Sequence, residues 1–535
     1  MSVRPTFFGL EIAKTGLFIS QKGLDVTAHN VANADTEGYT RQRLVNTAYE
    51  PYSVPTLLRP VDQALVGGGA HVMILDQIRD QFLDRQYRTE SSTLAYWSAR
   101  TEALTYVEGL FEGAETANLT ESIEKFFAAL NVSTTDAASG AFRTNLREAA
   151  TTMVTDFNLM YGRLEQQQQG LDKTVQVLTE NINDIARQIQ DLNRTIFAYE
   201  IDNQPANDLR DKRNLLVDKL SEIVDIEYEE YGSDPGKAFG GKFKLTIGGY
   251  TLVDHVTVNA LECRQEPNGV ENSLLPSVNV PRWAGTTVDL VVKDGQMFAT
   301  MEMRDNMTYS SAAGDKPGVP YFMEQLSNLA RAIAQEINSV HKTGYTSENS
   351  PGGASVAGGN FFNVPIDSVT LSEDISLLTA GNFQLDQDII DSIYNIAASD
   401  ARIVTDPTDP SYNTPGTTHE GNQANMIKLY DAITKKDIVV NTVPPVTIGG
   451  LFDFMDSIVT DVAVTLNTSK GFESARSVQT LAVANQREAI SGVSLDEEMT
   501  NLIKYQHAYG SASRVITAMD EALETLINKM GIVGR

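Results

Sequence analysis

The sequence predicts a multidomain protein that is mainly α-helical and carries a β insertion. Long stretches at both ends and in the middle repeat apolar residues at alternating spacings of three and four, which is typical of helices that bury one seam. One internal region alternates with period two around glycine turns, which is typical of antiparallel strands. The element order is therefore helix, β insertion, helix, and the 535 residues suffice for three or four domains.

The C-terminal stretch predicts one long helix between Gly492 and Gly531. Ser494 followed by Glu497 has the spacing of a capping box at its start. Every seam position except Glu498 is apolar and the spacing never slips, which predicts a coiled-coil seam. The seam positions are Leu495, Glu498, Leu502, Tyr505, Tyr509, Ala512, Ile516, Met519, Leu523, Leu526, Met530 and Val533.

The N-terminal stretch carries a matching seam and a second apolar column. The seam consists of Leu10, Ala13, Leu17, Ser20, Leu24, Thr27, Val31 and Ala34. The second column, Ile12, Ile19 and Val26, lies two residues further on, so about 200° around the helix. One partner helix cannot cover both sides, so we expect this helix to need neighbours on two sides. The two terminal helices are expected to pair as a coiled-coil rod domain.

A third seam predicts a long internal helix from Val154 to Tyr199, which ends before Pro205. Its one polar member is Gln168. Other helical patterns cover about 76–113, 322–340 and 451–490. Because each has one apolar face, these segments predict a helix-bundle domain.

The pattern changes between residue 226 and about residue 307. The stretches KFKLTIGGYTLVDHVTV and VDLVVKDGQMFATMEM alternate with period two around Gly-Gly and Asp-Gly turns, and we interpret both as antiparallel hairpins. Pro317 and Pro320 close this module. The predicted domains are a terminal coiled coil of 1–45 with 491–535, a helical domain of 46–225 with 321–490, and a β domain of 226–320.

No catalytic or metal-binding motif is apparent. None of the six histidines has the HExxH spacing of a metal site. Residues 236–243 nearly match a phosphate-binding loop, but Phe243 stands where Ser or Thr is required and a strand pattern follows. Asp406, Asp409 and Glu420 could hold a cation in a turn-rich loop, although a solvated loop is the better interpretation. The sequence therefore predicts no enzyme and no cofactor.

Charge and hydropathy argue against further classes. The formal net charge of −28 disfavours nucleic acid or an anionic membrane as a partner. The sequence contains no run of 18 apolar residues, so it predicts no membrane-spanning helix. It has a single cysteine, Cys263, which excludes an internal disulfide framework. The N-terminal stretch lacks the apolar region and cleavage site of a secretion signal, so this feature alone predicts a cytoplasmic protein.

The stretch LDVTAHNVANADTEGYTRQR, residues 24–43, ends the N-terminal helix with an amide-rich turn. Asn30 and Asn33 lie one turn apart and can satisfy backbone groups where the helix ends. Gly38 permits a left-handed turn. These residues fit a local helix stop, and they fit hydrogen bonds to a neighbouring subunit equally well.

This stretch resembles the N-terminal signature of the axial proteins of the bacterial flagellum, which include rod, hook and hook-associated proteins. Its GYTRQ, residues 38–42, is similar to the hook-associated protein 1 family of the hook–filament junction. Residues 491–531 resemble the last helix of that family. PANDLRDKRNLLVDKLSEIVDI, AQEINSVHKTGY, IAASDA and EGNQANMIKLYDA extend the resemblance over most of the chain, and it is weak over 226–320.

The resemblance implies a structural protein that is exported unfolded, without a cleaved signal, and lies outside the cell in the flagellum. The implied partners are copies of itself in a ring, the flagellar hook protein, the next hook-associated junction protein on the filament side, and a cytoplasmic export chaperone that binds the C-terminal helix. Hook protein, another axial protein, and a soluble coiled-coil fibre or adhesin remain alternatives. The expected assembly residues are Leu10, Leu17, Leu24, Asn30, Val31, Asn33, Gly38, Tyr39, Leu502, Tyr505, Tyr509, Ile516, Met519 and Leu523.

Overall fold

Helices dominate the computed structural model, and several small sheets complete it, as the sequence predicts. The structure describes residues 8–49, 67–111, 119–201, 205–231, 241–267, 275–306, 316–351, 354–412, 414–418, 420–441 and 447–528. Among the helices in these ranges, none is long and apolar enough to cross a membrane.

The α-helices are α1 (Phe8–Ala32), α2 (Gln81–Phe111), α3 (Leu119–Ser133), α4 (Gly140–Glu200), α5 (Asn207–Ile223), α6 (Gly295–Asp305), α7 (Val319–His341), α8 (Gln387–Asp391), α9 (Ala424–Thr434), α10 (Leu451–Ser491) and α11 (Leu495–Asn528). The strands are β1 (Gln42–Ala48), β2 (Ala70–Gln77), β3 (Glu227–Tyr231), β4 (Lys242–Ile247), β5 (Tyr250–Asp254), β6 (Thr257–Val258), β7 (Leu261–Pro267), β8 (Ser277–Trp283), β9 (Arg402–Ile403), β10 (Thr417–Thr418), β11 (Ile438–Asn441) and β12 (Thr447–Gly449).

Helix α4 runs through the middle of the molecule for 61 residues, about 90 Å. The predicted seam is the face that it buries: Phe157, Leu164, Ile182 and Ile189 are fully enclosed. The polar seam member Gln168 is also enclosed, and its Nε2 donates a 2.9 Å hydrogen bond to the backbone oxygen of Arg304. This helix therefore links two separate apolar cores.

The first core packs the N-terminal half of α4 against α2, α3, α7, α9 and the start of α10. The second core packs the C-terminal half of α4 and helix α5 against β3–β8 and α6. Strands β3, β4, β5 and β6 form an antiparallel meander in that order, and β7 pairs with β8. Where the domain boundaries lie stays a prediction.

Two predicted elements are wrong. The stretch read as a second hairpin contains helix α6, because Asp294 caps a helix: its Oδ1 accepts a 3.0 Å hydrogen bond from the Gly295 nitrogen. Gly295 has a φ of +89°, which glycine adopts without strain. The helix predicted from about 76 begins at Gln81, and the preceding residues form β2, which pairs with β1.

The first and the last helix lie together. Helix α1 runs beside α11, and the β1–β2 ribbon lies against another side of α1, where the Ala70 nitrogen donates a 3.4 Å hydrogen bond to Thr15 Oγ1. Ile19, from the second apolar column, lines a groove with Tyr49 and His71 of this ribbon side. The expected second neighbour of α1 is therefore supplied in part by the same chain.

Candidate assembly site

A column of glycines forms the contact between α1 and α11. Gly9, Gly16 and Gly23 recur every seven residues, so they share one face of α1. They face three seam residues of α11 in reverse order, which makes the helices antiparallel. The pairs are Gly9 with Met519, Gly16 with Ala512, and Gly23 with Tyr505.

The predicted seam residues flank this column. Leu10, Leu17, Leu24 and Val31 are half-buried on α1, as are Leu502, Tyr505, Ile516 and Leu523 on α11; Tyr509 and Met519 are just over one third exposed. The role of these glycines is not among the sequence predictions, and each glycine immediately precedes a seam leucine. Glycine inside a helix costs about 1 kcal/mol relative to alanine, so three at heptad spacing were the available signal.

Helix α11 also exposes an apolar ridge. Leu495, Met499 and Ile503 follow one another at intervals of four, so they lie along one ridge, and each is about half exposed. On α1, Phe18 is exposed to a similar degree. The paired terminal helices therefore present an apolar ridge on α11 and one exposed aromatic side chain on α1.

At its base the helix pair meets the rest of the molecule through a polar cluster, which we call the joint. The joint consists of His29, Asn30, Tyr39, Thr40, Arg41, Gln42, Asp208, Asp211, Glu497 and Glu498. It joins the end of α1, the approach to β1, the first turns of α5 and the first turn of α11. Three distant stretches of sequence therefore converge on the amide-rich turn.

Asn30 is the centre of the joint and is only 1% exposed. Its Nδ2 donates to the Gln42 backbone oxygen at 2.9 Å and to Glu498 Oε2 at 3.2 Å. Its Oδ1 accepts from the Gln42 nitrogen at 3.1 Å and from the Tyr39 hydroxyl at 2.8 Å. Both hydrogens and both lone pairs of the amide are thus used within the chain, which favours the local role over a bond to another subunit.

The other signature residues shape the turn. Asn33 Nδ2 donates a 2.9 Å hydrogen bond to the His29 backbone oxygen, which satisfies a carbonyl at the helix end. Gly38 has a φ of +77°, so it makes the left-handed turn that the sequence indicates. Tyr39 is half-buried, and burial, followed by the charges of Asp208 and Asp211, raises its pKa.

Arg41 pairs with two acidic residues at the start of α11. Arg41 Nε donates to Glu498 Oε1 at 2.8 Å, and its Nη1 donates to Glu497 Oε2 at 2.5 Å. The Glu498 side chain is 2% exposed, so its carboxylate has lost most of its water. Hydrogen bonds from Arg41 and Asn30 replace that water. The Arg41 nitrogen also donates to the Ser491 oxygen at 2.9 Å, which ties the turn to the corner between α10 and α11.

Helix α5 holds the amide-rich turn in place through two carboxylates. The Thr40 nitrogen donates to Asp211 Oδ2 at 3.0 Å, and Gln42 Nε2 donates to Asp208 Oδ1 at 2.7 Å. Burial raises the pKa of Asp211 to about 6, although hydrogen bonds from Thr40 and the charge of Arg79 oppose this. The PANDLRDKR stretch carries part of the family resemblance in the sequence, and the structure adds its contact with the amide-rich turn.

The remaining titratable candidates have structural contacts. Cys263 Sγ lies 3.3 Å from Thr179 Oγ1 on α4. His341 is enclosed, with the Ala397 nitrogen donating to its Nε2 at 2.8 Å and its Nδ1 2.8 Å from the Gly359 oxygen, and burial lowers its pKa to about 4. In the ranges that the structure describes, no group of three or more His, Cys, Asp or Glu side chains could hold a metal ion. These contacts fit roles in packing within the molecule and in the attachment of the terminal helices.

Three family models match the chain. One, described as "Flagellar hook-associated protein FlgK helical domain", matches residues 104–362. "Flagella basal body rod protein" matches 10–40, and "Flagellar basal body rod FlgEFG protein C-terminal" matches 485–529. The two rod matches therefore cover the paired terminal helices and most of the joint's turn.

Curated relatives align with the whole chain. It is 28% identical to flagellar hook-associated protein 1 of Bacillus subtilis (strain 168) over 547 residues, covering 99% of each chain. It is 23% identical to the protein of that name in Escherichia coli (strain K12), covering 96% of this chain and 98% of the relative. The fold is similar to the flagellar hook junction protein FlgK from Burkholderia pseudomallei, with a TM-score of 0.56 and 14% identity over 76% of this chain and 100% of that chain.

Proposed function

We propose that this chain, which belongs to the flagellar hook-associated protein 1 family, forms a ring of like subunits that joins the flagellar hook to the filament and carries out no catalysis. As a member of that family it is a structural protein of the bacterial flagellum and of motility. The observation that carries the ring proposal is the pair of terminal helices with apolar residues left exposed on both.

The exposed apolar side chains lie on different helices, which favours a head-to-tail contact over a twofold dimer. Leu495, Met499 and Ile503 lie on α11, whereas Phe18 lies on α1. A contact between two different surfaces repeats head to tail from subunit to subunit, and it closes into a ring or continues as a helical tube. A twofold dimer would instead place the same surface on both sides.

The predicted assembly residues divide into two roles under this proposal. The seam residues of α1 and α11, together with the glycine column, hold the helix pair in shape. Asn30, Asn33, Gly38 and Tyr39 fix its base on α5. The exposed ridge of α11 then makes the contact with the neighbouring copy.

The proposed partners beyond the ring follow the family. The subunit contacts the flagellar hook protein on one side and the next hook-associated junction protein on the filament side. It is exported unfolded to the outside of the cell, and an export chaperone covers the C-terminal helix beforehand. The exposed ridge supports this step, because an apolar surface of this kind needs cover before assembly.

The test is filament anchoring in cells that lack the wild-type protein. Ile503→Asp places a charge on the exposed ridge, so we expect the variant to fold, be exported and fail to retain filaments. Val369→Asp is the matched control, because Val369 is an apolar side chain that is 86% exposed on the helical body. If Ile503→Asp cells carry normal filaments, α11 does not supply the contact.

A further inference from the structure

We propose that the protonation state of Asp211 controls how firmly the joint is closed, so that acid holds the amide-rich turn on α5 and a rise in pH loosens it. The inference starts from the position of this side chain. Asp211 is only 5% exposed, and the Thr40 backbone nitrogen of the turn donates a 3.0 Å hydrogen bond to its Oδ2. Because the turn contacts the carboxyl group, release of the turn gives that group access to water.

The two oxygens of the Asp211 carboxyl group differ in their contacts. Oδ2 accepts the hydrogen bond from Thr40, whereas Oδ1 is buried and accepts no hydrogen bond from the part of the chain that the structure describes. Burial of a charged group costs free energy unless hydrogen bonds or an opposite charge compensate for the lost water. Ionised Asp211 therefore keeps one oxygen without this compensation, and a proton on that oxygen removes the charge that burial disfavours.

The cation beside Asp211 is engaged with another carboxylate. Arg79 Nη1 lies 3.6 Å from Asp211 Oδ1, which is beyond hydrogen-bond distance. The same guanidinium forms a two-pronged pair with Asp84 of α2, in which Nε lies 2.5 Å from Oδ2 and Nη2 lies 3.0 Å from Oδ1. Arg79 therefore neutralises Asp84 first, and it compensates Asp211 only in part.

Acidic neighbours add to the effect of burial. Asp208 precedes Asp211 by one turn on α5, and Glu498 reaches the joint from α11. Burial, with a smaller contribution from the charge of Asp208, raises the pKa of Asp211 to about 6 against the opposing effects of Thr40 and Arg79. The geometry and the surrounding charge thus favour the neutral form of the same side chain.

The other titratable and charged groups of the joint face elsewhere. On the turn, Arg41 pairs with the two acidic residues at the start of α11. On α1, His29 faces Asp208, with its Nε2 3.5 Å from Oδ2. Tyr39 stays a neutral phenol at neutral pH, because burial and the nearby carboxylates raise its pKa. Neutralisation of Asp211 therefore depends on the shared arginine and on its own proton.

The consequence is a linkage between protons and the closure of the joint. The closed joint raises the pKa of Asp211 to about 6, and release of the turn returns the carboxyl group towards its ordinary value of 3.8. The closed form therefore binds the proton more tightly, so acid favours closure. This contribution to closure is complete below pH 3.8 and is lost as pH rises through 6.

The effect of this proton extends beyond Thr40. The next residue, Arg41, binds Glu498 of α11 through its side chain and the Ser491 oxygen at the end of α10 through its backbone nitrogen. Release of Thr40 from Asp211 therefore weakens the attachment of the terminal helices to the rest of the molecule.

Hydrogen–deuterium exchange of the full-length protein between pH 5 and 7.5 tests this proposal. The reporter is the peptide over 36–48, which contains the Thr40 and Gln42 amides, with rates corrected for intrinsic exchange. A pKa of about 6 in the closed joint and 3.8 in the open joint predicts that opening becomes about tenfold more frequent over this range. Asp211→Asn replaces the carboxyl group with an uncharged amide of the same shape, so its joint should be equally protected at both pH values.

Two control variants separate Asp211 from its neighbours. Asp208→Asn changes the carboxylate one turn earlier, which is 57% exposed, and should keep most of the pH dependence. His29→Gln removes the imidazole of the joint and should keep it too. Peptides of α7 should stay protected in every variant, which shows that the changes concern the joint alone.

Four outcomes would overturn the proposal. They are a wild-type joint without pH dependence, an Asp211→Asn joint that keeps the dependence, loss of the dependence in His29→Gln, and a wild-type joint that is unprotected at every pH while α7 is protected. An Asp211→Asn joint that is unprotected at both pH values would contradict it as well, because the neutral side chain is expected to hold the turn.

Discussion

The helical body and the paired terminal helices are held together in opposite ways. The body encloses large apolar side chains, such as Phe157 and Phe322, in continuous cores. The terminal pair is joined along a glycine column and anchored by a polar joint, and much of α11 remains exposed. Burial of apolar area is the main source of folding free energy. We therefore expect the body to fold alone and the terminal pair to depend on its joint and on the proposed neighbours.

The largest expected effect is in the body. Phe157→Ala removes an enclosed ring that meets Phe383 edge-on, with ring centroids 5.4 Å apart. We expect it to lower the free energy of unfolding of the body by about 3–5 kcal/mol, measured by denaturant titration. Tyr509→Ala on α11 is the matched aromatic control and should change that value by less than about 1 kcal/mol. Equal effects would mean that the terminal pair shares the stability of the body.

Substitution of Glu498 should loosen the joint. Glu498→Gln removes a buried carboxylate from Arg41 and Asn30, and breaking a buried pair costs about 3 kcal/mol or more. The reporter is hydrogen exchange in α11, because the loss concerns local opening. Glu497→Gln is the control: this partner of the same arginine is 62% exposed and should cost less than about 1 kcal/mol. If both variants exchange alike, burial of Glu498 is irrelevant to the attachment.

Acid should destabilise the body. Burial lowers the pKa of His341 to about 4, below the ordinary value of about 6.5 that it regains on unfolding. The unfolded chain therefore binds the proton first, so this contribution is present above pH 6.5 and is lost as pH falls towards 4. Between pH 7 and 5 the body should lose about 2 kcal/mol of unfolding free energy through this site.

Denaturant titrations of the body at pH 7 and pH 5 measure this loss. A body that keeps its stability at pH 5 would contradict the assignment of His341 as a buried neutral group.

The glycine column should show effects of opposite sign at two of its positions. A Cβ on Gly23 would lie 2.5 Å from Tyr505 Cδ1, so Gly23→Ala should loosen the helix pair by about 1–3 kcal/mol. On Gly16 the nearest atom is Ala512 Cβ at 3.9 Å, so Gly16→Ala should gain up to about 1 kcal/mol from helix propensity. Exchange in α11 measures both. Loosening in both variants would show that the column tolerates no side chain anywhere.

The long helices could be predicted from the sequence because their apolar periods extend over many turns, as in α4, α7 and α10. Helix α6 could not be predicted, because an Asp-Gly pair can start a helix as well as turn a hairpin. A short apolar run also fits the helical period and the strand period alike. The β1–β2 ribbon could not be predicted either, because its short apolar runs also fit both periods. The joint could not be derived from one sequence, because Asn30 and Glu498 are 468 residues apart and nothing local to either indicates the other.

Limited proteolysis of the dilute purified monomer, followed by mass spectrometry, tests the central claim most directly. If neighbours complete the terminal pair, cuts in 8–32 and 495–528 should come first, and a fragment from about 67 to 490 should survive. If the ends resist cleavage as long as α7 does, and the protein sediments as a stable small oligomer, the seams are already satisfied in solution. That result would contradict the account and favour a soluble coiled-coil fibre or adhesin.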